Sequence, residues 1–482
     1  MSRWTITQWF TCGILLIGLC LIAYLSAQDG IQAGLLLSFA PILLIFFAAI
    51  ITNPYWGLIT LFVLNYFIMG ISRYVTTQSL GLITDIVIML TIVSLIYQSA
   101  FKGKISWFRV KDNLLIKIFT VWVLFCLIEV LNPTSVFQAW LSTIRSYAIY
   151  PLFTLLFTTL LFHQFKDLKN ILFLWSIFSF LAFIKVFIQQ NYGFDYAELR
   201  WLNQGGAKTH LLYSGIRYFS FFTDAGNFGS SMGLSLVVFS ISAFFIKNKW
   251  LRFYYLLVAM TSAYSMFASG TRGALAVPFA GYILYVLLSK NFKTMTIVSV
   301  FLLCLYIFLN FTYIGQDNQY IRRMRTAFNK NDASLMVRKG NQKILATYIN
   351  TRPFGEGLGL SGAQAEKYAP GRITNIPNDS WYVKVWVETG IVGLCFHIAL
   401  LALSLGYGIY IILARIKDKE LRGLLSAILC GFGGILASSY GNAIFLQYPT
   451  GIIMYMVQAF IFMGLNYDQE IESKKLTLEN AD

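Results

Sequence analysis

The chain has 482 residues, 57% of them hydrophobic and 12% charged. Soluble domains carry about 25% charged residues, so an ordinary soluble enzyme is excluded; a disordered chain, which needs low hydrophobicity, is excluded as well. An excess of 37 Lys and Arg over 21 Asp and Glu leaves +16, which in an all-α polytopic membrane protein reads first as charge in the loops on the cytoplasmic side.

A helix crosses the hydrocarbon core with about 20 apolar residues. Runs of that kind predict spans near 9–26, 35–51, 55–72, 80–98, 114–131, 147–162, 171–188, 226–246, 253–269, 274–288, 294–313, 390–414, 423–440 and 449–465. The total is about 14, within a range of 12–14, because only Thr52, Asn53 and Pro54 separate the second run from the third. The first run is longer than the apolar stretch of a cleaved signal peptide and reads as an uncleaved anchor. Cys12, Cys20, Cys126, Cys304, Cys395 and Cys430 all fall in apolar runs, without the spacing of a metal site.

Orientation follows from the connections. Loops 99–113, 163–170, 247–252, 289–293 and 415–422 carry Lys102, Lys104, Arg109, Lys111, Lys166, Lys169, Lys247, Lys249, Arg252, Lys290, Lys293, Arg415, Lys417, Lys419 and Arg422. Fourteen spans place all of these on one side, which is cytoplasmic by the positive-inside rule, together with both termini. Two long segments, 189–225 and 314–389, then face outward. Long loops without structure are uncommon and usually functional. Residues 333–350 hold a helical pattern after a cap at Asp332 or Ser334, and Pro353 with the Gly-rich PFGEGLG ends it. The organisation read from this is helices over 1–313, a loop domain over 314–389, helices over 390–465 and a cytoplasmic tail over 466–482.

The outward loop is net basic, and Arg145, Arg217 and Arg272 fall in the same layer. An arginine fork donates two parallel hydrogen bonds to phosphate. Arg272 lies in the short turn SGTRGAL, where a charge must face protein or water; the plainer account is a snorkelling arginine. Glu129 and Lys185 sit near outer span ends and read as a structural pair. His163, His210 and His397 also read as structural.

The sequence has no G-x-x-x-x-G-K-[ST] loop, outward D-x-D or D-x-E pair, serine elbow or zinc spacing. What remains for neutralising a leaving diphosphate is guanidinium, with no metal and no cofactor. The basic residues divide between two membrane faces, which sets nucleic acid aside.

Four segments carry a resemblance: RYFSFFTDAGNFG, SGTRGAL, VRKGNQKILATYINTRPFGEGLG and NDSWYVKVWVETGIVG. Their order and spacing over about 209–464 resemble the O-antigen polymerase and O-antigen ligase superfamily of bacterial inner-membrane glycosyltransferases. The resemblance implies a metal-independent enzyme acting at the periplasmic face on glycans carried by undecaprenyl diphosphate. A ligase passes the glycan to lipid A-core; a polymerase passes it to another lipid-linked repeat unit. The arginines that hold the diphosphate fall on Arg217, Arg272 and Arg338. Ligases carry a histidine just ahead of the last loop-to-helix junction. Asp379 stands there in this chain, with no histidine between His210 and His397, which favours the polymerase.

The expected catalytic residues are therefore Asp379, Arg272 and Arg217, with Arg338, Arg145, Glu388 and Gly357 binding substrate. Asp379 reads either as general base for the acceptor hydroxyl or as a helix cap, and Glu388 shares that ambiguity. Gly355, Gly357 and Gly359 either bring the loop close to substrate or form its turn. The expected reaction is inverting transfer between lipid-linked donor and acceptor glycans in the bilayer, with a chain-length regulator as a further partner. The rival readings are the ligase and a lipid-linked glycan transporter; the latter would show inverted repeats and charges at mid-depth, and neither is found in the sequence.

Overall fold

The computed structural model describes residues 45–75, 81–103, 105–213, 215–328, 333–362, 365–371, 373–378 and 380–479. The expected span at 9–26, most of that at 35–51, and Cys12, Cys20, Lys104, Lys330, Asp332, Arg372 and Asp379 lie outside the described residues. The chain is an all-α polytopic membrane protein. Its main helices are α1 Pro54–Ile71, α2 Gly81–Lys102, α3 Leu114–Leu131, α4 Phe137–Leu161, α5 Phe165–Asn191, α6 Ala225–Phe245, α7 Lys249–Ala268, α8 Arg272–Leu288 and α9 Phe292–Phe311. They continue with α10 Gln319–Arg325, α11 Ala333–Ile349, α12 Trp381–Arg415, α13 Lys419–Ser438, α14 Thr450–Phe462 and α15 Gly464–Glu479.

Among the described residues 9 helices are long and apolar enough to cross a membrane, or 10 if α14 and the start of α15, bent by 50°, form one span. The expected count of about fourteen is not confirmed by this set. Three spans start earlier than the apolar runs suggest. α4 begins at Phe137 rather than 147, because FQAWLSTI dilutes its apolar face with Gln, Ser and Thr. Arg145 therefore opens a wider turn within a continuous helix, Arg145–Ile149, and is not in an outward loop. α5 begins at Phe165 through a capping box between Gln164 and Asp167. α12 begins at Trp381 rather than 390, since an apolar count stops at the partly exposed Lys384 and at Glu388, which the fold buries.

Two compact units divide the chain, one made of Met1–Thr60 and Asp85–Ile105, the other of Leu61–Thr84 and Ser106–Asp482. Within the smaller unit the Ser94 hydroxyl donates to Ile51 O at 2.9 Å and the Gln98 amide to Thr52 O at 2.6 Å.

The larger unit is built around α6, α7, α8 and α13. Helices in lipid gain little from hydrophobic exclusion and associate through close packing of small residues. At Gly281 an added Cβ would stand 3.0 Å from Cys430 O, so α8 and α13 touch backbone to backbone. Hydroxyls fill the remaining polar needs: Ser230 bonds Ser438 at 3.0 Å, and Ser438 donates to Gly273 O at 3.0 Å. α9 is only 11% buried, and its apolar Ile297, Val300, Phe301 and Leu303 suit contact with lipid.

Contacts mark two ends of this unit. At one end Tyr467 donates to Phe162 O at 2.6 Å, Lys169 pairs with Glu420 at 2.7 Å, and Lys417 pairs with Glu472 at 3.1 Å. At the other end α11 packs on α12 through Leu345, Ile349, Ile373 and Val387. The helix expected over 333–350 is thus present as α11.

Candidate active site

The site grows from the segment between α5 and α6. Arg73 is buried there, 6% exposed. Its guanidinium donates to Ser220 O at 2.8 Å and to Phe222 O, and stacks between Trp201 and Phe219 at 4.8 and 4.4 Å. Burial lowers Arg73 to about 10, opposed chiefly by the Glu198 carboxylate. Lys185 pairs with Asp195 and Glu198, each at 2.9 Å. The expected Glu129–Lys185 pair is therefore not formed; Glu129 instead accepts from Asn132 at 3.1 Å, because nearer carboxylates take the lysine. These contacts hold residues 218–224 in place ahead of α6.

Asp224 caps α6, its Oδ1 accepting from Gly226 N at 2.6 Å and Asn227 N at 3.0 Å. Gln447 donates to its Oδ2 at 2.7 Å. His210 is 2% exposed. Its Nε2 accepts from Ala225 N at 3.1 Å, so Nδ1 carries the proton and donates to Gly206 O at 2.9 Å. Both ring nitrogens are thus engaged by backbone, and the ring also borders the arginine cavity described below.

Burial, helped by Arg217 and Arg73 and opposed by the Gly206 bond and Asp224, pushes His210 down to about 4. The unfolded chain protonates this ring from about pH 6.5. Below that pH the unfolded state binds more protons, so stability is lost between about 6.5 and 4, by roughly 3 kcal/mol if fully expressed. Thermal unfolding across this window should be flatter in His210→Gln than in the parent. An unchanged acid dependence would contradict the assignment.

A short hairpin pairs Leu211 with Ile216 and Leu212 with Gly215 and presents Arg217. Arg217 donates from Nη1 to Thr209 O and from Nη2 to Thr271 Oγ1, both at 2.9 Å. Thr271 precedes Arg272 at the start of α8, and its hydroxyl also donates to Ala225 O at 2.8 Å. Arg323, on α10, donates from Nε to Gly270 O at 2.5 Å, and Arg272 donates from Nη1 to Thr326 at 3.1 Å. Burial lowers Arg217 below the usual arginine value, opposed by Asp224 and reinforced by the charges of Arg272 and Arg338. Arg217 thus feels the charges of both Arg272 and Arg338.

They surround a cavity of about 850 Å³, whose lining includes Lys208, Arg217, Arg272, Arg323, Arg338 and Asp224. The first turns of α6 and α8 border it, the leading N–H groups of α6 already taken by Asp224 and His210. Leu275, Ala276 and Phe279 form an apolar side along α8. The arrangement favours an amphipathic anion, polar at one end and apolar along its flank.

Beside it lies a second cavity of about 710 Å³ between α4, the 359–368 loop and α12, lined by Ser142, Thr143, Ser361, Lys367, Tyr368 and Lys384 among others. Asn378 joins the two: it lines the arginine cavity and donates to Ser361 Oγ at 2.7 Å. Ser361 in turn donates to Glu388, which is fully buried.

The fold brings Arg217, Arg272 and Arg338 to one cavity. Arg145 is not among the described lining of that cavity; it donates from Nη2 to the Tyr150 hydroxyl at 2.7 Å. Gly357 packs on Ser135, and its N–H donates to Glu388 O at 3.0 Å. Glu388 faces the second cavity's wall through Ser361. Asp379 lies outside the described residues, next to Asn378. Sequence reasoning did not single out Arg323 or Lys208. In QYIRRMR the helix twist turns Arg322 and Arg325 away from Arg323, and both bond Gln316. A helical reading of that run would have found the inward member. Among the described residues no cluster of His, Cys, Asp and Glu is placed to hold a metal ion.

Comparison with known families gives one match: residues 256–398 fit the O-antigen ligase family model. No curated protein and no solved structure matches the chain. The matched stretch holds Arg272, Arg323, Arg338, Ser361 and Glu388, and it supports an integral membrane enzyme that processes glycans. This match over residues 256–398 is consistent with the O-antigen polymerase and ligase superfamily that the sequence resembles.

Proposed function

We propose that the protein is a metal-independent, inverting glycosyltransferase that polymerises undecaprenyl-diphosphate-linked repeat units of a surface polysaccharide. The observation that carries this reading is the convergence of Arg217, Arg272, Arg323 and Arg338 on one cavity with an apolar flank. Fixed cations aimed at a leaving diphosphate are worth several kcal/mol where water is scarce, about 10²- to 10³-fold in rate for one donor. In this reading the diphosphate sits among the guanidiniums, its lipid runs along Leu275 and Phe279, and the acceptor hydroxyl attacks the anomeric carbon from the far side. The enzyme sits in the bacterial inner membrane with this end periplasmic and both termini cytoplasmic. The basic residues at the opposite end, Lys169, Lys290 and Lys417 among them, support that orientation. Residues 314–389 then serve as a periplasmic loop domain.

The ligase is the second reading, favoured by the description of the matching family. The absence of a histidine between His210 and His397 favours the polymerase. A purified preparation given lipid-linked repeat units, with or without lipid A-core, separates them. The polymerase builds a ladder of longer lipid-linked chains from repeat units alone. Product formed only when lipid A-core is present would make the protein a ligase.

A further inference from the structure

The second cavity holds a built polar site. A serine hydroxyl has one proton and two acceptor lone pairs. The Ser361 proton goes to Glu388, and Asn378 takes one lone pair at 2.7 Å. One acceptor position of Ser361 is left, on a side chain that lines the cavity. Glu388 behind it is 0% exposed, with Lys384 Nζ at 3.6 Å. Its Oε2 completes no hydrogen bond of good geometry among the described residues, although the buried Tyr147 hydroxyl stands beside the carboxylate. Burying a carboxylate is costly unless its oxygens are paired. The remaining lining suits a sugar: Tyr368 edges the cavity, its ring packed beside Ala139 and Leu360 with the Lys367 ammonium 4.6 Å from its centre, Ser142 and Thr143 offer hydroxyls, and the other lining carboxylate, Glu366, accepts from Thr374.

We propose that this cavity receives the acceptor saccharide and that Ser361, backed by Glu388, takes the proton from its attacking hydroxyl. The proposal rests on the glycosyl-transfer reading of the arginine cavity. The acceptor oxygen forms its bond to the donor anomeric carbon as the bond from that carbon to the diphosphate oxygen breaks. The electron pair stays on the diphosphate, which the guanidiniums neutralise. The acceptor proton passes to Ser361 Oγ while the Ser361 proton passes to Glu388, so serine stays neutral and the carboxylate ends protonated. Ser361 is the catalytic residue; Glu388 acts through it. This assigns the proton step away from Asp379.

The test has two arms. The first titrates purified protein with repeat-unit oligosaccharide released from the cells' polysaccharide by mild acid, and so without lipid or phosphate. Tyr368→Ala is expected to weaken binding at least tenfold, whereas Arg272→Ala leaves it unchanged. Loss of binding in Arg272→Ala, or none in Tyr368→Ala, overturns the saccharide site.

The second arm follows transfer against pH. Ser361→Ala and Glu388→Gln should lower kcat by about 10²-fold or more, keep donor KM within about twofold, and flatten the acidic limb of the profile. Ser361→Ala removes only a hydroxyl and keeps the test valid if Glu388→Gln unfolds. An acidic limb that survives Ser361→Ala, or that disappears in Asp379→Asn instead, overturns the proton path. If the parent protein transfers no glycan at all, the arginine-site reading falls and the proton path with it, while the titration still decides the saccharide site.

Discussion

Replacing Arg272 with alanine should lower glycan transfer by about 10²- to 10³-fold with the protein still inserted and folded. The reason is its position. Arg272 opens α8 at the lip of the arginine cavity and bonds Thr326 at 3.1 Å, so its charge faces the space where a diphosphate would leave. Arg217 is a less clean probe. It ties Thr209 to Thr271, and its loss would also loosen the hairpin and the α8 turn. Arg272→Lys keeps the charge but loses the planar fork, so it should recover only part of the rate. Transfer from a lipid-linked donor, measured at equal amounts of folded protein, checks both variants. Normal chain length from Arg272→Ala would remove the residue from the mechanism.

Gly390→Ala should destabilise the protein by about 3 kcal/mol or more through strain and overpacking. Gly390 interrupts α12 with φ 66° and ψ −168°, a region that is essentially closed to residues with a side chain. A Cβ there would overlap the Pro353 carbonyl and lie 2.5 Å from Gly355 N. Those neighbours are backbone and cannot turn aside. They belong to the close seam in which Glu356 N donates to Val387 O at 2.9 Å and Val392 N to Pro353 O at 3.2 Å. The same seam carries Glu388, so transfer should fall with stability. Gly406→Ala is the control: it lies in the same helix and its Cβ would meet nothing within 4 Å. There alanine should be neutral or slightly stabilising. Thermal unfolding of the two variants in one detergent gives the comparison; equal melting temperatures would sink the seam argument.

The sequence makes the helices legible where apolar residues run unbroken, as in α6, α9 and α13. It misplaces ends where polar residues carry a helix beyond its apolar run. The starts of α4 and α12 are the examples: Gln138, Ser142 and Thr143 in one, and Lys384 and Glu388 in the other, read as loop although the fold packs them into helices. Arg145 looks like a loop arginine for the same reason. α11 is readable because its periodicity and Pro-Gly stop agree.

The arginine cluster is only partly legible. Arg217 and Arg272 stand out because each interrupts an apolar neighbourhood. Arg323 does not, because it lies in a run of like charges, and only the helical turn of α10 decides which of them points inward. The relation between Asn378, Ser361 and Glu388 spans a loop, a Gly-rich turn and a helix break, and no spacing rule encodes it.

The central claim is that guanidinium groups alone hold the lipid diphosphate. Equilibrium binding of undecaprenyl diphosphate in the presence of EDTA tests it most directly, comparing the parent protein with the Arg217→Ala/Arg272→Ala pair. Charge-assisted hydrogen bonds contribute about 1.5–3 kcal/mol each, so the parent should bind in EDTA and the double variant should bind at least about 10²-fold more weakly. Binding that requires a divalent cation, or that survives loss of both arginines unchanged, would contradict the account.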